Sequence, residues 1–238
     1  ISRYGHSHIR AIPEEKYAER HPEYYALHGQ VRATKGRARQ YCFSNPAVQK
    51  TIYRRMLADA DAGFDVIEIG QNDAFNPCHC PRCRHLYGIT PTTAPGDGIA
   101  SRQDRAWGEK LWTMHRDMAL RLQKDRPGVK LMITAYQVTR EPPQTIESLP
   151  DNVMVQVAGP ERDLLDRWQE QVDVPGGLSV YDYIWNPRYL PGRTVSEIEE
   201  KVQNYLDHGV RYLQNNAKAF VYGLKAINIY VFRRRLTD

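Results

Sequence analysis

"DVIEIGQNDAFNPCHCPRC" (65–83) opens as an apolar run, breaks at Gly70 into the polar triplet Gln71-Asn72-Asp73, and continues into three cysteines spaced C-x-C-x2-C. A short run rich in Val and Ile, stopped by Gly and polar residues, reads as a strand buried on both faces. The same design returns in "VKLMITAYQ" (129–137), "NVMVQVAG" (152–159), "LSVYDYIW" (178–185) and "VRYLQNN" (210–216), and "ISRYGHSH" (1–8) is read as a further strand. Nearly every one ends in polar or aromatic side chains.

Helical patterns fill most of the gaps. "NPAVQKTIYRRMLADADAG" (45–63) carries Asn45 as cap, Pro46 at the first helical position and Gly63 as its stop. "SRQDRAWGEKLWTMHRDMALRLQKDRPG" (101–128) lays Trp107, Leu111, Met114, Met118 and Leu122 along one stripe. "PERDLLDRWQEQV" (160–172), "TVSEIEEKVQNYLDHG" (194–209) and "AFVYGLKAINIYVFRRRL" (219–236) complete the set, and only 138–151 lacks a full helix. Repeated strand–helix–strand units imply a parallel sheet with right-handed crossovers. No Gly-rich phosphate loop follows any strand, which speaks against a dinucleotide-binding sheet. The expected fold class is therefore α/β, a (β/α)8 TIM-barrel type in one domain spanning 1–238. Six strands fall short of eight, so the barrel is expected to be incomplete, with the first two strands missing. In such a barrel the strand ends meet at one mouth, where sites are built.

The 238 residues carry a net charge of +5, with 41% apolar and 26% charged residues, an ordinary balance for a folded soluble protein. No apolar stretch approaches the ~20 residues of a membrane span, and no signal peptide is seen in this chain. Basic residues gather in "VRATKGRARQ" (31–40), but no recognition-helix or zinc-finger pattern accompanies them. A nucleic-acid or membrane partner is not expected; an anionic polysaccharide is compatible.

Cys42 precedes the helix that starts at Pro46. At ~1.5 Å per residue that helix is about as long as a seven-residue strand, so its N-terminus returns to the end of the sheet where 65–72 finishes. Cys42, Cys78, Cys80 and Cys83 should therefore meet. Four thiolates suit a structural zinc ion; disulfides and free thiols are the alternatives. Catalysis is not expected of them, and no organic cofactor is.

Two carboxylates are placed near the mouth, Asp73 and Asp182, with Glu68 deeper. Glycoside hydrolysis uses two such groups across one sugar, so Asp73 is the candidate general acid and Asp182 the candidate nucleophile or base. Asp73 reaches the pocket if the strand stops by Asn72, and whether Asp182 or its neighbours Tyr181 and Tyr183 point inward stays open. His6, His8, Asn72, Tyr136, Gln156, Tyr181, Tyr183, Trp185, Asn215 and Asn216 are the expected sugar-binding rim, since aromatic faces and amides match the CH patches and hydroxyls of sugar rings. His6 and His8, taken as neighbours on one side of a strand, also raise a metal-dependent hydrolase, although no later strand end supplies further His or Lys ligands. A non-catalytic glycan-binding barrel is the other alternative.

"AERHPEYYAL", "YCFSNPAV", "GQNDAFNPCHCPRC", "PGVKLMITAYQ", "PPQTIESLPDNVMVQ" and "VYDYIW" together resemble the domain of unknown function 4838 family, over nearly the whole chain. That family is associated with polysaccharide breakdown and is similar in organisation to the barrels of alpha-glucuronidases and beta-hexosaminidases. The resemblance implies a glycoside hydrolase-like barrel in carbohydrate metabolism, uronate-containing polysaccharide as a substrate class, and a secreted or periplasmic setting. Alpha-glucuronidase acids are mostly Glu, whereas Asp73 and Asp182 stand here.

Overall fold

The computed structural model describes residues 6–36, 39–74, 76–87, 102–183, 194–215, 230 and 234. Its centre is a five-stranded parallel sheet that curls into half a barrel. In spatial order, which is also chain order, the strands are β3 (Val66–Ile69), β4 (Lys130–Ala135), β5 (Val153–Ala158), β6 (Leu178–Asp182) and β7 (Tyr212–Asn215). A separate two-residue hairpin pairs β1 (Leu27–His28) with β2 (Val31–Arg32).

The sheet's helices are α3 (Pro46–Asp61), α5 (Arg102–Asp125), α6 (Arg162–Gln171) and α7 (Val195–Asp207), with short turns α1 (His8–Ala11), α2 (Glu14–Tyr17) and α4 (Pro81–Tyr87). Asn45 caps α3 through the Ala47 amide, and Thr194 and Glu197 form a reciprocal capping box on α7. Among the described residues no helix is long and apolar enough to cross a membrane.

The core explains the shape. Ile67 and Ile69, Leu131 and Ile133, Val153, Val155 and Val157, Leu178 and Val180 project from one face of the sheet. They pack with Ile52, Met56, Leu111, Trp112, Met118, Leu164, Trp168 and Tyr205 of the helices. Because successive strand residues alternate faces, the residues between them form the opposite, concave face: Glu68, Met132, Thr134, Met154, Gln156, Ser179, Tyr181 and Gln214. Gln156 Nε2 donates to Gln214 Oε1 at 3.2 Å across the intervening β6, and Thr134 Oγ1 donates to Glu68 Oε1 at 3.1 Å. One face is hydrocarbon and the other is largely polar.

Two expectations change. Residues 1–5 lie outside the described residues, and the rest of "ISRYGHSH" is not a strand: His6 has φ +67 and His8 begins α1. Ser7 and His8 still dock on β3, with the Ser7 hydroxyl accepting from the Gly70 amide at 3.0 Å and the His8 amide donating to the Gly70 carbonyl at 3.4 Å. The sheet thus has five described strands, not six, and the eight-stranded count is not established. The helix expected over 219–236 falls almost wholly outside the described residues.

Gly108 decides how closely α5 approaches the turn after β4. A Cβ there would sit 2.1 Å from the Val138 carbonyl oxygen, and the Trp112 indole donates to the Thr139 carbonyl in the same contact. Gly108→Ala should therefore destabilise the domain by about 3 kcal/mol, although Ala is favoured over Gly in a helix by about 1 kcal/mol. Urea denaturation of the variant reads the difference; equal or greater stability would mean that the helix does not press on that carbonyl.

Candidate active site at the C-terminal edge of the sheet

Because β3 ends at Ile69, the segment from Gly70 to Asp73 runs out over the C-terminal edge of the sheet. Its shape is held by buried hydrogen bonds. Gln71, almost wholly buried, donates from Nε2 to the Tyr136 carbonyl and to Thr139 Oγ1. From the other side, Gln40 Nε2 donates to the carbonyls of Asn72 at 3.2 Å and Asp73 at 2.9 Å, and Asn72 Nδ2 donates back to the Arg39 carbonyl at 2.5 Å. The side-chain N–H groups of Gln71 and Asn72 are thus held by backbone carbonyls and by Thr139, and Asp73 is pushed outward.

Asp73 meets two partners there. The Tyr136 hydroxyl donates to its Oδ1 at 3.0 Å, and His6 Nε2 lies 3.4 Å from its Oδ2. His6 Nδ1 is 2.8 Å from the Gln71 carbonyl oxygen. A carbonyl only accepts, so Nδ1 carries a hydrogen and Nε2 is the ring nitrogen that faces the carboxylate. Burial, then the hydrogen bond to Asp73, raises the Tyr136 phenol above its ordinary value, so it stays a donor. The His6 and Asp73 side chains are 35% and 59% exposed, open to a ligand.

Tyr181 and Tyr183 stand beside this group, their rings 5.2 Å apart in an edge-on arrangement. The Tyr181 phenol is raised by burial and by the nearby Glu68 and Asp73 carboxylates, and the Tyr183 phenol by burial and by Tyr136 and Tyr181. Gln156 lies below on the concave face, its Oε1 and the neighbouring Ser179 hydroxyl buried without a hydrogen-bond partner among the described residues. Unpaired buried polar atoms on a concave wall suit water or a polar ligand.

Asp182 does not join them. The parity that sends Tyr181 into the lumen turns Asp182 toward α7, where it is 1% exposed, 3.1 Å from Lys201 Nζ, and accepts from the Tyr205 hydroxyl and from the Tyr183 amide. A carboxylate with its acceptor sites filled behind the sheet cannot attack a sugar in front of it. The candidate nucleophile is corrected to a buried ion-pair partner.

The two histidines also part company. His8 is fully buried, its ring 5.6 Å from that of His115 on α5 and flanked by Tyr41 and Phe43. It lines no sugar pocket and shares no ligand position with His6, so the metal-dependent hydrolase loses its motif. Asn72, with its side chain on the Arg39 carbonyl, is likewise a support and not a sugar contact. Asn215 closes β7 opposite Asp182; Trp185 and Asn216 lie outside the described residues. Gln40, Thr139, Lys201, Tyr205 and His115 were not anticipated, since nothing local to "RARQYC" or to α5 marks a single polar side chain as buried.

Beside this site the four cysteines do converge. Cys42, Cys78, Cys80 and Cys83 are all buried and free, with their sulfurs within 4.8 Å of one another. They could hold a metal ion. Tyr87 and Trp107 pack over them in a second small core. Hydrogen bonds from Cys78 and Cys83 push the Cys42 thiol far below its ordinary value, and the bond with Cys42 pushes Cys78 up to about 11. These sulfurs are close enough to compete for protons.

Comparison with known proteins places the chain as follows. None of the curated proteins matches it. Among solved structures, an O-GlcNAc hydrolase mutant from Thermobaculum terrenum is similar at 14% identity and a TM-score of 0.49, over 84% of this chain. The match takes in 42% of that hydrolase, so this chain spans less than half its length. The profile of the family described as domain of unknown function 4838 (DUF4838) matches residues 2–234, and the chain belongs to that family.

Proposed function

We propose that this domain is a carbohydrate-active, glycoside hydrolase-like barrel domain in which Asp73 is the acid–base group. The observation that carries the reading is the placement of Asp73 over the end of a parallel sheet, bonded to a phenol and facing an imidazole, above a polar concave wall. An acid that protonates a departing sugar oxygen needs exposure to the ligand and polar partners that hold it in place, and Asp73 is exposed and contacts the Tyr136 phenol and the His6 imidazole. Tyr181 and Tyr183 offer ring faces and phenols to a sugar, and Gln156 offers an amide deeper in. A zinc ion at Cys42, Cys78, Cys80 and Cys83 would fasten the loop that carries Asp73 and take no part in the chemistry, whichever function the domain has.

Asp73→Asn keeps the size of the side chain and removes the titrating group. In a panel of neutral and uronate-containing aryl glycosides, the substrate turned over by the wild type should lose about 10²–10⁴ in kcat/KM in this variant. Unchanged turnover would remove Asp73 from the chemistry.

The position of Asp182 favours a second reading, a glycan-binding domain without turnover, because the expected second carboxylate faces α7. Saturable glycan binding by calorimetry, with no hydrolysis of any glycoside in the panel, would select it.

A further inference from the structure

We propose that Cys42, Cys78, Cys80 and Cys83 bind one zinc ion as a closed four-thiolate centre, and that this centre, acting through Gln40, fixes the loop that carries Asp73. The importance of Asp73 rests on the function proposed above; the metal centre and the tether do not.

The donor set comes first. Cys42 Sγ is 3.6 Å from Cys80 Sγ and 3.7 Å from Cys83 Sγ. A tetrahedron with Zn–S bonds of about 2.3 Å has edges of about 3.8 Å, so these sulfurs stand at the spacing of ligands around one ion. They are too far apart for a disulfide, whose bond is about 2.05 Å. All four residues are at most 6% exposed, which leaves no side open to water and makes the centre structural. Thiolates need donors, and they have them. The Leu27 amide donates to Cys78 Sγ at 3.2 Å, the Cys83 amide to Cys80 Sγ at 3.5 Å, and the Arg32 guanidinium lies 3.8 Å from Cys78 Sγ. Four thiolates with a divalent ion carry two net negative charges, which these contacts offset.

The tether comes second. Gln40 stands two residues before Cys42, is fully buried, and donates to both the Asn72 and Asp73 carbonyls. On the other side, Asp73 is joined to Cys78 by a five-residue step of chain. The loop is thus anchored at one end by β3, at the other by the sulfur ligand Cys78, and in the middle by a side chain from the segment of a second ligand, Cys42. The ion would tie these segments together, and Gln40 is the positioning residue that passes the restraint to the acid.

The test uses the whole chain purified under reducing conditions without added metal. Elemental analysis should find one zinc per chain, cobalt exchanged into the site should give the visible spectrum of tetrahedral thiolate coordination, and the Cys80→Ser/Cys83→Ser double variant should lose both. Amide hydrogen exchange over residues 71–78 should rise by about tenfold or more in Gln40→Ala, while β4 and β5 keep their protection. That variant should still hold its zinc. Two disulfides by mass, iron in place of zinc, or substoichiometric metal would overturn the centre. Unchanged exchange over 71–78 in zinc-loaded Gln40→Ala would overturn the tether, whether or not chelation unfolds the wild type. None of these readings requires turnover, so a failed hydrolase assignment leaves them standing. If turnover is found, Gln40→Ala should lower kcat with KM nearly unchanged, and Gln40→Glu should not restore it, because a carboxylate cannot donate to the two carbonyls.

Discussion

Lowering the pH from 7 to about 5 should cost this domain several kcal/mol of stability, through two imidazoles that take no part in the proposed chemistry. His8 and His115 are fully buried, their ring centroids are 5.6 Å apart, and none of their four ring nitrogens has a hydrogen-bond partner among the described residues. Burial lowers His115 to about 3, and burial together with the neighbouring His115 and His6 lowers His8 well below its ordinary value. Below about pH 6.5 the unfolded chain binds a proton at each ring while the native state does not, so stability is full above that value and falls with pH. For His115 the fall continues until its native value near 3 is reached. Each unit of pH in that window costs up to about 1.4 kcal/mol per ring, or about 2 kcal/mol at pH 5 for His115, with His8 adding to the loss in the same direction. Thiolates at the cysteine cluster would also protonate in acid, so the diagnostic is a difference: urea unfolding of His115→Met should show close to half the imidazole-dependent slope removed. A variant with the wild-type slope would show that the rings are hydrated or paired.

Asp182→Asn is the second large effect, and it separates a structural carboxylate from a catalytic one. Removing the charge leaves Lys201, whose side chain is only 16% exposed, without its partner. Breaking one side of such a pair costs about 3–5 kcal/mol. The folded fraction of the variant should bind glycans, or turn them over, as the wild type does. Adding Lys201→Met should recover a good part of the stability, because the uncompensated charge goes with it. Denaturation and activity measured on the same samples read both effects. Full stability with abolished turnover would return Asp182 to the crater as a nucleophile.

The contrast between Asp73 and Asp182 shows how far the amino-acid sequence can be read. Strands β3 to β6 were legible because nearly all of their residues are buried, which gives short runs rich in apolar side chains. That same burial hides which face is which: β6 reads Leu-Ser-Val-Tyr-Asp and four of its five residues are buried, so the parity of Asp182 could not be taken from an alternation of polar and apolar. The cysteine cluster was legible from spacing and from the length of α3. "GHSH" misled, since alternating residues around Gly look like a strand end, and only the docking of Ser7 and His8 on Gly70 reveals a turn entering α1. Gln40 was invisible for another reason. Its value lies in two distant carbonyls, and no local pattern announces a contact made over more than thirty residues of chain.

The bonded pair Gln156 and Gln214 at the base of the concave wall has a consequence for recognition. Primary amides neither gain nor lose a proton across the biological range, and each can give and take hydrogen bonds at once. Whatever hydroxyl-bearing guest rests on that floor should therefore be gripped alike in acidic and alkaline surroundings. Any acidity-dependent gating of this cleft would have to come from other groups on it, such as Glu68 beside Thr134 on the same wall.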